Sequence, residues 1–374
     1  MTANTPLTDA PARPAGEKLL LKGNEAVARG MLAAGVRCYF GYPITPQNEI
    51  PEYLSVELPK IGGRFVQAES EVAAGNMLLG AAGAGIRAAT SSSSPGISLM
   101  QESISYMAGS ELPCLIVNMN RGGPGLGDIC TGQGDYYQST RGGGHGDYRT
   151  LVLAPSGCQE AYDLTILALD LAYRYHTPVI LHGDGIIGTM KEAVTLWKPG
   201  KPDNADAADW ELSGCKGRQA RLIKSLRLEE GALGKHNRHL AAKYASMSAE
   251  ARAESFETED ADLIVVAFGS SGRIAKSAVR SLRAKGHKVG LVRPITLYPF
   301  PDKMLADLAA AGKRFLTIEH NTGQMVDDVR LAVRKHADST FFGWMPGDLP
   351  ASDDYTGPIL EELQRIAGSG GRTK

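Results

Sequence analysis

Between Asn24 and Leu181 the sequence alternates short strand-like runs with longer helical stretches, and few folds accept that alternation. The runs Arg37 to Phe40, Phe65 to Ala68, Ala88 to Ser91, Leu115 to Asn118, Leu151 to Ala154 and Val179 to His182 read as strands. Between them lie helical stretches. One is capped by Asn24, carries Ala26, Val27, Met31 and Ala34, and is ended by Gly35. The next takes Pro46 into its first turn. Glu71 to Ala84 is a small-residue helix, and Ile97 to Ala108 and Cys158 to Tyr175 are two more. The expectation is an α/β fold with a mostly parallel sheet and helices on both faces.

Leu196 to Thr258 breaks the pattern with Pro199, Pro202 and a charged, alanine-rich stretch, where amphipathic helices are expected, one of them near His239 to Tyr244. Asp262 opens a second, smaller α/β unit. Leu263 to Phe268 reads as a buried strand, Gly269-Ser-Ser-Gly272 as a tight turn and Ile274 to Ala284 as a helix, with further strands at Val289 to Val292 and Arg314 to Glu319. The turn lacks a G-K-[ST] ending and is not a P-loop. The expected division is a disordered arm over 1–16, a first domain over 17–195, a linker over 196–258 and a second domain over 259–374. A chain of 374 residues accommodates both domains.

Forty basic residues balance 41 acidic ones, so bulk charge gives no drive toward nucleic acid or membrane. No apolar run reaches the ~18 residues a membrane span needs. The segment Met1 to Gly16 has no apolar core and is not read as a secretory signal. Cys38, Cys114, Cys130, Cys158 and Cys215 are scattered, which fits a reducing cytoplasm and supplies neither a metal-ligand spacing nor an iron–sulfur cluster.

Four segments can carry chemistry. Gly41-Tyr42-Pro43-Ile44-Thr45-Pro46 is a strand-end loop stiffened by two prolines, able to hold the Thr45 hydroxyl toward a ligand. Glu69-Ser70-Glu71 places a carboxylate at a helix start. Thr90-Ser-Ser-Ser-Ser-Pro-Gly96 leads from a strand into a helix, with hydroxyls and helix N–H groups that either line a pocket or satisfy a turn. Arg121 to Asp147 holds ten glycines in 27 residues and begins on an arginine that follows a strand. A guanidinium grips a carboxylate through two parallel hydrogen bonds, and so long a loop in a compact domain is usually functional. His145 lies in that loop. Gly183-Asp184-Gly185 imitates the start of a metal-binding motif that pairs an Asp with a later Asn, but the next asparagine, Asn204, falls in the proline-rich stretch, so no metal is assigned to this chain.

With these segments in one chain, the sequence resembles the α subunits of the thiamine diphosphate-dependent 2-oxoacid:ferredoxin oxidoreductases. The likeness runs from about Lys18 to Ile366 and is greatest to the branched-chain, 2-oxoisovalerate branch. It implies a pyrimidine-binding parallel-sheet domain followed by a transketolase C-terminal-like domain. It further implies Glu71 as the catalytic carboxyl group that hydrogen-bonds the coenzyme's pyrimidine nitrogen, and Thr45 and Arg121 as ligands of the substrate carboxylate. His145 would face the pocket, and Pro43, Ile44, Ser93 and Ser94 would line the cofactor.

As the family implies, a β subunit would supply Mg²⁺, the pyrophosphate site and a [4Fe–4S] cluster. A γ subunit and a ferredoxin-like δ subunit would complete the complex. Coenzyme A would be co-substrate and ferredoxin the electron acceptor, and a flavin subunit passing electrons to NAD is compatible. The substrate alternatives are 2-oxoglutarate, whose second carboxylate Arg141 or Arg149 could meet, and an aryl 2-oxoacid such as phenylglyoxylate. Two other classes remain: a non-oxidative thiamine enzyme and a non-catalytic structural subunit.

Overall fold

The structure is a computed structural model that describes residues 16–200 and 209–369. Most of the expected N-terminal arm, and Asn204, lie outside the described residues. In chain order the elements are β1 (Glu17–Lys22), α1 (Gly23–Ala33), β2 (Cys38–Gly41), α2 (Glu49–Lys60), β3 (Arg64–Gln67) and α3 (Glu71–Gly83). Next come β4 (Ala88–Ser92), α4 (Ser94–Gly109), β5 (Cys114–Asn120), α5 (Tyr136–Arg141), β6 (Leu151–Leu153), α6 (Cys158–Tyr175) and β7 (Pro178–Asp184). They are followed by α7 (Gly185–Thr189), β8 (Lys191–Leu196), α8 (Ala232–Ser246), β9 (Ala253–Phe256), β10 (Leu263–Val266) and α9 (Gly269–Ala284). The last are β11 (Val289–Pro294), β12 (Thr296–Tyr298), α10 (Asp302–Ala310), β13 (Arg314–Glu319), α11 (Met325–Val333), β14 (Ser339–Gly343) and α12 (Ser352–Ser369).

The first sheet has seven strands in the order β12-β6-β7-β5-β4-β2-β3. Six run parallel, and β12 joins antiparallel to β6. Every residue of β4, β5 and β7 is buried, as a strand covered on both faces requires. Helix α6 supplies one cover through Ala161, Leu164, Ala168 and Leu171. Each fully buried Leu, Ile or Val here contributes roughly 1.5–3 kcal/mol. The second sheet has the order β14-β13-β10-β11-β9, with only β9 antiparallel. A separate two-stranded ribbon pairs β1 with β8.

The α/β architecture agrees with the alternation in the sequence, and four local readings change: the stretch Arg121 to Asp147, read as one long loop, contains α5, and three others follow. Asn24 does not cap α1; the cap position is Lys22, and the buried Asn24 amide instead donates to Pro46 O and Glu49 Oε2, both at 2.7 Å. Pro46 is not in the first turn of α2, which starts at Glu49, because the chain first turns under Asn24. Gly269-Ser-Ser-Gly272 is not a loop but the first turn of α9, with Gly272 N–H bonded to Phe268 O at 2.8 Å. Strand β12 was not foreseen. It follows β11 by a single residue yet crosses back to the first sheet, so the chain enters that sheet twice.

Candidate functional site

Parallel strands with sequential crossovers deliver their following loops to one edge of the sheet. The neighbours β5, β4, β2 and β3 therefore bring Arg121, Ser93 and Ser94, Thr45, and Glu71 to the same edge. His145 does not join them. It is exposed, and its carbonyl accepts from Ser105 Oγ at 2.6 Å. Ser105 lies roughly three turns, about 16 Å, beyond Ser94 along α4. The Gly-rich segment runs down that helix and carries His145 away from the strand ends.

Arg121 is 7% exposed. Its Nη1 donates to Thr45 O at 3.1 Å and its Nη2 to Leu126 O at 2.9 Å, while Nε is buried without a partner. The guanidinium thus meets two neutral carbonyls and, among the described residues, forms no ion pair. A buried cation in this state is costly and favours an incoming anion. The Thr45 hydroxyl accepts from Asn48 Nδ2 at 3.4 Å, and its residue is half-buried. Pro43 is exposed and Ile44 half-buried on the same loop.

Glu71 opens α3 behind Ser70, whose hydroxyl accepts from Ala73 N at 3.2 Å and caps the helix. Its carboxylate is buried against Gly96. A Cβ added at Gly96 would stand 2.7 Å from Glu71 Oε1 and 2.1 Å from Ser92 Oγ. No larger residue fits there without displacing the carboxylate. The serine run divides by position. Thr90 Oγ1 donates to Phe40 O at 2.6 Å, and Ser91 Oγ bonds Tyr39 OH and Gln47 Oε1, so these two satisfy the turn. Ser92 Oγ and Ser93 Oγ are buried with no partner. Ser93 holds the cap position of α4 without using its hydroxyl to cap.

Residues absent from the sequence reading complete the site. Asn118 Oδ1 and both polar atoms of Asn120, at the end of β5, are buried and unpartnered. Asp135 accepts from Asn118 Nδ2 at 2.9 Å, and its carboxylate lies beside Ser94. Burial pushes its carboxyl group above the usual range, against those two neighbours and the nearby Arg121. Nothing about Asp135 stands out in sequence except its place in the Gly-rich loop. Asn118 and Asn120 do carry a signal: amides closing an otherwise apolar strand.

Asp184 is spent on structure. It caps α7 by accepting from Ile187 N at 3.0 Å, and it accepts from Ser270 Oγ across the two sheets' units. Among the described residues, no group of three or more His, Cys, Asp or Glu side chains is placed to hold a metal ion. No helix among them is long and apolar enough to cross a membrane.

Residues 29–258 match the pyruvate flavodoxin/ferredoxin oxidoreductase family, thiamine diphosphate-binding. The chain belongs to the α subunits of the thiamine diphosphate-dependent 2-oxoacid:ferredoxin oxidoreductases. Residues 261–354 match the family's core domain II. Ketoisovalerate oxidoreductase subunit VorB of Methanothermobacter thermautotrophicus is 45% identical over 350 residues, covering 93% of this chain and 98% of that one. The 2-oxoglutarate synthase subunit KorA of Methanocaldococcus jannaschii is 36% identical, covering 91% and 98%. Among solved structures, the 2-oxoglutarate:ferredoxin oxidoreductase of Magnetococcus marinus superposes with a TM-score of 0.80 at 25% identity. It covers 93% of this chain, which spans 66% of that longer one. A split-gene transketolase, at a TM-score of 0.58 and 14% identity, shares the fold.

The edge of this α subunit fits the family's coenzyme. The unpaired Ser92, Ser93, Asn118 and Asn120 atoms are donors and acceptors already stripped of water. The Glu71 carboxylate faces the space that Gly96 leaves open.

Proposed function

We propose that this α subunit works in a CoA-acylating complex that oxidatively decarboxylates a branched-chain 2-oxoacid such as 2-oxoisovalerate. The products are the acyl-CoA, CO2 and reduced ferredoxin. Thiamine diphosphate, when bound, supplies the nucleophile and electron sink for the decarboxylation. Glu71 would hold the proton at the pyrimidine nitrogen, where burial keeps bulk water from competing for it. Ser92 and Ser93 would take the ring's polar edge. Arg121 would bind the 2-oxoacid carboxylate in place of the Leu126 and Thr45 carbonyls, with the Thr45 hydroxyl beside it.

The observation that carries the substrate reading concerns the other cations. A 2-oxoglutarate site needs a second one; Arg141 is held in an ion pair, and Arg149 precedes β6, at the edge of the sheet opposite Arg121. Arg141 makes a two-pronged pair with Asp328 at 2.8 and 2.7 Å. Arg149 donates to Tyr148 O at 3.0 Å and lies over the Tyr298 ring. That arrangement supports a substrate with one carboxylate and an apolar tail, in line with the 45% identity to VorB. A β subunit would bring Mg²⁺, the pyrophosphate site and a [4Fe–4S] cluster, with γ and ferredoxin-like δ subunits completing the complex. Buried free thiols at Cys38, Cys114 and Cys158 support a reducing, cytoplasmic setting.

The test is CoA-dependent viologen reduction by the complex pulled down with this chain, across a panel of 2-oxoacids. Activity with 2-oxoisovalerate, lost on Glu71→Ala, is the expected result. Preference for 2-oxoglutarate would overturn the substrate reading, and full activity in Glu71→Ala would overturn the catalytic one.

A further inference from the structure

The loop that follows β5 is held from outside by the second sheet's unit. Gln133, 1% exposed, makes four hydrogen bonds there. Its N–H donates to His320 O at 2.8 Å and its Nε2 to Phe268 O at 3.0 Å. Its Oε1 accepts from His320 N at 3.0 Å and its carbonyl from Asn321 Nδ2 at 2.8 Å. Gly269, at φ 55°, leaves room for the amide; a Cβ there would stand 3.1 Å from Gln133 Nε2.

A second glutamine grips the same loop from α11's start. Gln324 Nε2 donates to Gly134 O and its Oε1 accepts from Tyr137 N, both at 2.7 Å. These contacts bracket Asp135 on either side. Gln324 is itself fixed, because the buried Glu319 carboxylate accepts from the N–H groups of Gln324, Met325 and Val326 and from Asn321 Nδ2. Further along, Asp328 holds Tyr136 OH and Arg141.

Inside the bracket, a short relay leads to the anion site. The Asp135 carboxylate lies beside Ser94, and the Ser94 hydroxyl accepts from Arg121 N at 3.1 Å. Arg121 N–H therefore rests on a hydroxyl that packs beside a carboxylate whose main chain is clamped by another unit.

We propose that Gln133 and Gln324 are positioning residues: they fix the chain around Asp135, and Asp135 sets Arg121 through Ser94. The second unit thereby tunes affinity for the 2-oxoacid without touching it. The inference rests on the reading of Arg121 as the carboxylate ligand. Effects of this kind are large for their distance, since misplacement by about 1 Å can cost on the order of 100-fold.

The experiment compares Gln324→Met, Asp328→Asn and Arg121→Met in the assembled complex. KM is measured separately for 2-oxoacid and CoA, together with kcat and thiamine diphosphate content. Gln324 is half-buried, and Met keeps its volume, so the variant tests the two hydrogen bonds rather than the fold. Expected is a rise of about tenfold in KM for the 2-oxoacid in Gln324→Met, with kcat, KM for CoA and coenzyme content unchanged. Asp328→Asn, which loosens the far end of the clamp, moves the same constant by less. An unmoved 2-oxoacid KM in both variants, while Arg121→Met raises it, overturns the clamp alone. A parallel fall in kcat and coenzyme content, with KM for the 2-oxoacid unchanged, overturns it in favour of a purely structural role. An unmoved KM in Arg121→Met removes the carboxylate reading itself, and the clamp falls with it.

Discussion

Strands β5 and β7 lie side by side in register, Asn118 opposite His182 and Asn120 opposite Asp184, yet their ends have opposite characters. The end of β5 leaves polar atoms unspent. Asn118, Asn120 and Arg121 all bury donors or acceptors that nothing in the described chain satisfies. The end of β7 spends its polar groups except for His182 Nε2, which is also buried without a partner. Asp184 bonds Ile187 N and Ser270, and His182 Nδ1 shares a hydrogen bond with Ser139 Oγ at 2.9 Å. Burial pushes the His182 imidazole down to about 4, so it stays neutral. Two strand ends of one sheet edge thus divide the labour: one is left open for a ligand, and the other locks the two α/β units together.

The sharpest way to break this comparison is to change both ends and measure both properties. Arg121→Met should raise KM for the 2-oxoacid on the order of 100-fold, since it removes a charge-assisted two-pronged contact. The same change should leave the melting temperature unchanged or slightly higher, because it removes a buried cation that forms no ion pair. Gly96→Ala should rank next. Its methyl group would press on Glu71 and Ser92, and bound thiamine diphosphate in the purified complex should fall at least tenfold. Normal coenzyme content in that variant would show that the Gly96 space is not the cradle.

Asp184→Ala should do the reverse of Arg121→Met. It strands the Ser270 hydroxyl and the Ile187 N–H in the interior, costing about 1–3 kcal/mol in denaturant unfolding, with KM untouched. A shifted KM with intact stability would dissolve the distinction between the two strand ends. The smallest effect lies away from both. Burial alone would raise the Glu250 carboxyl group, but Arg252, Tyr175 and Arg174 outweigh it and hold it below the ordinary range. A depressed carboxyl stabilises the fold above its unfolded value and loses that contribution as pH falls through its folded value. Unfolding midpoints should therefore hold above about pH 5 and drop below about pH 4, with Glu250→Gln flattening the drop by about 1 kcal/mol.

Much of the architecture was legible because it depends on local periodicity. Helix–strand alternation gave the parallel sheet, and the apolar runs gave its central strands. Glu71, Ser94, Thr45 and Arg121 could be singled out because each sits where a strand ends, and the loops of adjacent parallel strands share an edge. What misled was chemistry read without its partners. Asn24 has the composition of a helix cap, and its amide goes to Pro46 instead. Gly269-Ser-Ser-Gly272 has the composition of a turn, but as the first turn of α9 it aims Ser270 at Asp184. His145 shares a loop with Arg121, and α4 separates them.

The sequence alone determined the kind of molecule: an α/β chain with a glutamate at one helix start, and an arginine after one strand that opens a glycine-rich loop within the first domain. Periodicity and residue type suffice for that, since they act over a few neighbouring positions. The tertiary structure decided which polar groups are left unpaired, that β12 returns to the first sheet, and that Gln133 and Gln324 hold the loop around Asp135. Those outcomes depend on contacts between residues far apart in the chain, and only the packed fold brings such residues within hydrogen-bonding distance.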